Sequence, residues 1–172
     1  MFLNYIKNIW LKKILKNKLH NSKCNSVVTT TKSVGLLLDD STNLNKNLLI
    51  DLLVRHGIDK HQIKIIVYKD KINKNEVYSD PTFGFDHLDS NGLFRPQVVN
   101  DFIQTPFDLL ISYYDIEKMA LVLLTNESKA RFKAGFSTIN TNLNHLIIST
   151  KLTEYEVFTN ELFKYLKILK RI

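Results

Sequence analysis

Short apolar runs alternating with amphipathic stretches predict an α/β fold. The expected form is a three-layer, Rossmann-like domain with a mostly parallel sheet, helices on both faces, and a basic N-terminal helix in front. Three observations carry this. Val34-Gly35-Leu36-Leu37-Leu38 is apolar and stops at Asp39-Asp40-Ser41-Thr42-Asn43, as a buried parallel strand feeding a helix does. Residues 63–68 read as the next strand, one amphipathic stretch later, and complete a βαβ unit. Residues 107–113 and 145–149 then read as further buried strands.

The elements follow in order. Phe2, Leu3, Ile6, Ile9, Trp10 and Ile14 share a broad arc at 3.6 residues per turn, so residues 2–19 are expected to be helical. Leu11, Leu15 and Leu19 add a second stripe, and the polar residues 21–32 read as a linker. This divides the chain into a basic arm, 1–32, and one α/β domain, 33–172. Leu44, Leu48, Leu49, Leu52 and Leu53 place a helix face after the first strand, and Gly57 is placed to end that helix. Residues 69–97 break the rhythm. Within 80–96, two glycines, two prolines and three phenylalanines mark turns with aromatic anchors. So long a loop is expected to be functional or a small subdomain.

Residues 98–104 read as a short helix. Asp115 is placed to cap a helix over 116–128, although Ala120 to Leu124 fits a strand on propensity alone. Residues 131–136 read as a short strand containing Gly135. Thr153 and Glu156 form a T-x-x-E pair that predicts Thr153 as the cap of a last helix, burying Val157, Phe158, Leu162, Leu166 and Leu169.

Charge is unevenly placed. The net charge is +7, and residues 1–32 hold Lys7, Lys12, Lys13, Lys16, Lys18, Lys23 and Lys32 with no Asp or Glu. The remaining basic and acidic residues balance, so the whole excess lies on the arm. Lys7 and Lys12-Lys13 interrupt any signal-peptide core, and no A-x-A-like site follows. The arm is also too interrupted to span a bilayer. A cytoplasmic protein is expected, peripheral to the inner membrane if the arm engages lipid. Trp10, Lys12, Lys13 and Lys16 are the candidate membrane or partner contacts. The arm has three readings: it packs on the body, it lies on an anionic membrane, or, least favoured for want of arginine, it binds nucleic acid.

In an open parallel sheet, ligands sit beyond the carboxyl ends of the strands, where the strand order switches. The candidate crevice therefore carries Asp39, Asp40 and Ser41 after the first strand, and Tyr114 and Asp115 after a later one. Paired carboxylates at a strand end suit Mg²⁺. The plainer alternative is that Asp39, Ser41 or Asn43 caps the helix. Neither a metal site nor a cofactor is predicted. The chain has one cysteine, Cys24, no H-E-x-x-H, no Walker loop, no G-x-G-x-x-G and no G-x-S-x-G. Among five histidines only His87, between Asp86 and Asp89, is singled out as a test residue.

Residues 36–57 resemble the first βα unit of response-regulator receiver domains. The resemblance stops there, because the later strand ends in Ser112-Tyr113-Tyr114 where a receiver needs its phosphoacceptor aspartate. Residues 105–115 and 128–136, with Asn144-His145-Leu146-Ile147 and Tyr165-Leu166-Lys167-Ile168-Leu169, resemble a family of small Bacteroidota proteins of unknown function. That resemblance implies no activity. Residues 107–136 also resemble the N-terminal domain of heptosyltransferase-type glycosyltransferases: a strand, an apolar helix and a basic stretch ending in Gly135-Phe136. In those enzymes the sugar-nucleotide site lies largely in a second domain, so the likeness implies fold and favours helix at 116–128. The leading expectation is a non-enzymatic binding or interaction protein. The alternative is a small enzyme or ligand-binding protein using the acidic crevice.

Overall fold

Six strands lie in one all-parallel sheet in the computed structural model, which describes Lys13 and residues 30–42, 44–73 and 75–172. They are β1 (Val34–Asp39), β2 (Ile63–Tyr68), β3 (Thr82–Phe83), β4 (Leu109–Tyr113), β5 (Lys133–Phe136) and β6 (Leu146–Ile148). Their order is β3-β2-β1-β4-β5-β6, so the strand order switches between β1 and β4. The helices are α1 (Lys46–Arg55), α2 (Gln97–Gln104), α3 (Met119–Glu127) and α4 (Tyr155–Ile168). The expected N-terminal helix, with Trp10, Lys12 and Lys16, lies outside the described residues apart from Lys13, which is exposed, and so does Cys24 in the expected linker.

Alternation along each strand splits the core in two. Leu37, Ile66 and Leu110 face α2 and α3 and share one cluster with Phe102, Leu121 and Leu124. Leu36, Leu38, Leu109 and Ile111 face α1 and α4 and pack on Leu49, Leu53, Phe158 and Leu162. Both faces of β1 and β4 are buried, which explains their unbroken apolar runs.

Gly57 ends α1 as expected. It takes φ +95°, its N–H donates to the Val54 carbonyl at 2.9 Å, and the Ile58 N–H donates to Leu53 at 3.2 Å. These two bonds form a Schellman motif, which needs a left-handed residue. Gly35 answers a different demand. A Cβ there would lie 2.7 Å from the Phe107 ring.

Four cap and packing expectations fail. The cap of α1 is Asn45, whose side chain accepts from the Leu48 N–H at 3.1 Å, so neither Asp39 nor Ser41 caps it, and Asn43 lies outside the described residues. Asp115 caps nothing, because α3 starts after Lys118 with no side-chain cap. Thr153 is not the cap of α4. Glu154 holds that position and turns its carboxylate back to the Thr150 hydroxyl at 2.6 Å. Val157 and Leu169, expected in the core, are 48% and 43% exposed. The edge strand β6 is also only partly covered, and His145 and Ser149 are exposed beside it.

The 80–96 loop packs into the main core and forms no separate unit, since Phe83, Leu88 and Phe94 share one cluster with Leu37 and Ile66. It supplies β3, a two-residue strand the sequence pattern did not show. Phe83 and Phe94 meet edge to face at 5.6 Å between ring centroids, and both are buried. Asp89 ties the turn, accepting from the Asn91 and Leu93 N–H groups. The ladder below β3 stops at Pro81, which has no N–H to donate to β2.

Candidate functional site

The site is built at the carboxyl end of β1, beside the switch in strand order. Asp39 is the last residue of β1 and is 1% exposed. Its Oδ1 accepts from the Ser41 N–H at 3.0 Å and from the Ser41 hydroxyl at 2.8 Å. The Lys118 ammonium reaches across from the start of α3. It lies 3.1 Å from Asp39 Oδ1 and 2.9 Å from Oδ2. The same nitrogen donates to Asp70, beyond the end of β2, at 3.0 Å, and lies 5.0 Å from the Tyr68 ring centroid. Burial acts to lower the Lys118 pKa, but the hydrogen bonds to Asp39 and Asp70 outweigh it and hold it above the ordinary lysine range. One ammonium thus links the ends of three consecutive sheet positions, β2, β1 and β4.

Asp40 points elsewhere. It pairs with Lys69, just past the end of β2. The adjacent carboxylates therefore diverge, each toward its own lysine, and do not converge on one point. Among the described residues no group of three or more His, Cys, Asp or Glu side chains is placed to hold a metal ion. Tyr114 is not in the crevice. It is fully buried under α3, with its hydroxyl 2.9 Å from Thr125 Oγ1. Asp115 is half-buried at the rim.

An open cleft of about 530 Å³ lies on the α1 side of the same strand ends. Its floor is Leu38 and Val67, and its walls carry Asn45, Lys46, Lys69, Tyr78 and Asp80. Lys46 pairs with Asp80 across it. This volume falls in the range of small-molecule pockets, and its polar walls suit a hydrogen-bonding ligand.

The model of a family of unknown function, DUF6913, matches residues 7–169. The chain belongs to that family. No curated protein and no solved structure matches it.

In this DUF6913 chain the residues that sequence reasoning missed are the lysines. Lys118, Lys69 and Lys46 organise the strand ends, but each is one lysine among many. Their partners stand 79, 29 and 34 residues away. A fourth, Lys133, is 8% exposed, and its ammonium donates to the Thr125 and Asn126 carbonyls that end α3, at 2.6 and 3.1 Å. Burial lowers its pKa to about 8. A cation is favoured at a helix C-terminus, so Lys133 closes α3. His87 is half-buried in the 80–96 loop, and burial pulls its pKa down against the pull of Asp86. No helix among the described residues is long and apolar enough to cross a membrane.

Proposed function

We propose that this chain is a non-enzymatic binding or interaction protein of the cytoplasm, peripheral to the membrane through its basic arm. One observation carries the reading. At the switch point where this kind of sheet takes its ligands, the protein's own Lys118 ammonium sits against the strand-end carboxylates. The carboxylates that would hold a cation or move a proton there, Asp39 and Asp70, are already bound to it. What the protein offers a partner is its surface and its arm. The arm's seven lysines and lack of acid favour an anionic lipid surface, each nearby lysine contributing about 1 kcal/mol. The likenesses to small Bacteroidota proteins and to the heptosyltransferase N-terminal domain sit with this proposal and add no transfer chemistry to it.

Vesicle co-sedimentation of the full chain tests it. Binding is expected to anionic and not neutral vesicles, and to weaken with salt. Replacing Lys12, Lys13 and Lys16 by Gln removes about 3 kcal/mol, roughly a hundredfold in affinity. No binding of the full chain at low salt overturns the membrane reading.

The cleft of about 530 Å³ favours a second reading, a small-ligand protein. A ligand or divalent cation that raises the melting temperature, with the rise abolished in Asp40→Asn, establishes it in place of the first.

A further inference from the structure

The last helix carries an uncovered apolar stripe. Val157, Tyr165 and Ile168 fall on one outward arc of α4 and are 48%, 40% and 64% exposed, with the Glu161–Lys164 pair between Val157 and Tyr165 and the Lys164 ammonium 5.6 Å from the Tyr165 ring centroid. Leu169 and Ile172 continue the patch past the helix end at 43% and 39%. Ordinary surfaces carry single exposed apolar residues, whereas a contiguous set marks a contact. The inner face of α4 is complete without it, since Phe158, Leu162, Phe163 and Leu166 fill the core. The stripe is therefore surplus to the fold as described.

The chain's own path indicates what covers it. After α4, Lys170 turns back with φ 54° and lays Arg171 over the Phe132 ring, 4.3 Å from its centroid. The Arg171 carbonyl then accepts from the Thr31 N–H at 2.6 Å. The point where the arm joins the body is thus tied to the end of α4. Residues 20–29 can extend about 33 Å, against a length of about 21 Å for α4, so residues 2–14 can reach any part of the stripe. Their apolar set, Phe2, Leu3, Ile6, Ile9, Trp10 and Ile14, matches it in character. A tether this short gives an effective concentration in the millimolar range, which favours the arm over a second copy.

We infer that the arm docks its apolar face on the α4 stripe of its own chain, and that anionic membrane competes for that face. The second clause rests on the membrane reading above; the first does not. Docking then makes membrane binding weaker than the free arm would give, because a competing state reduces the fraction available.

Trp10 is the chain's one tryptophan, so its fluorescence reports the arm directly. In dilute full-length protein its emission is expected to be blue-shifted and poorly quenched by acrylamide. The double substitution Ile168→Glu/Leu169→Glu should shift it to the red and raise the quenching constant severalfold. Val98→Glu, an exposed position on α2 across the sheet, should leave it unchanged. Solvent-exposed emission in the wild type, indifference to the α4 substitutions, or a shift that grows with protein concentration overturns the docking. Vesicle binding is read separately on the same proteins. Tighter binding by the α4 variant supports the competition. Equal binding by variant and wild type overturns the competition, and no binding by either overturns the membrane reading while leaving docking to the fluorescence.

Discussion

Raising the pH from 10 to 11 is expected to remove about 3 kcal/mol of folding stability, a large share of what a marginal domain has. The cause is three tyrosine hydroxyls sealed in the core. Tyr113 and Tyr114 are fully buried and Tyr68 is 4% exposed. Burial raises all three far above the usual tyrosine value, and Asp70 beside Tyr68 raises that one further. In the unfolded chain each ionises near pH 10. Above that pH the folded state holds protons the unfolded state has lost, so stability falls as pH rises. Starting from half-ionisation at pH 10, each group loses about 1 kcal/mol by pH 11, which gives the sum for three. Lys133 acts in the opposite sense over a lower window. Its folded pKa is about 8 against an ordinary value of 10.5, so between those values the unfolded chain binds the extra proton and stability rises. Urea melts from pH 8 to 11 should therefore show no loss until about pH 10 and a steep loss beyond. Tyr113→Phe removes a donor to the Leu152 carbonyl and should also reduce the slope above pH 10 by about a third. Ionisation of the buried tyrosines in a protein that stays folded would contradict the argument.

The central strands β1 and β4 were legible in the sequence because burial on both faces imposes a mainly apolar run, whereas β2 carries an exposed Lys64 and is buried throughout only over its last three residues. Gly57 was legible because a left-handed helix end admits few residues. The failures have equally local causes. β3 is two residues long, too short for any period to show, and its ladder is cut by Pro81. Residues 120–125 of α3 are all buried, so the helix has no polar face, and the same run suits a strand. Glu154 displaced Thr153 because its carboxylate finds the Thr150 hydroxyl and the Lys151 N–H in the preceding turn. At the candidate site, the sequence located Asp39, Asp40 and Ser41 at a strand end but not what they do there. That depends on Lys118, which meets Asp39 only after the sheet has placed β1 beside β4. In a chain with 24 basic residues, no local signal separates that lysine from the rest.

Replacing that lysine should cost more than replacing its partner. Lys118→Met strands the Asp39 carboxylate in a site that is 1% exposed, with only the Ser41 N–H and hydroxyl left to it. Leaving one member of a buried pair uncompensated costs about 3–5 kcal/mol. Asp39→Asn is milder. It keeps an acceptor for Ser41, and Lys118, whose side chain is 18% exposed, retains Asp70. The double variant Asp39→Asn/Lys118→Met removes both charges and should recover most of the loss, giving a coupling energy of about 2–3 kcal/mol in a double-mutant cycle. Because the pair is shielded from water, the coupling should change little with salt, whereas an exposed pair would lose it. The cycle also bears on function. Recovery of stability in the double variant would show that Lys118 and Asp39 are held for each other, as a closed crevice requires. A double variant as unstable as Lys118→Met would mean the lysine answers chiefly to Asp70 and Tyr68, leaving Asp39 free to serve a ligand.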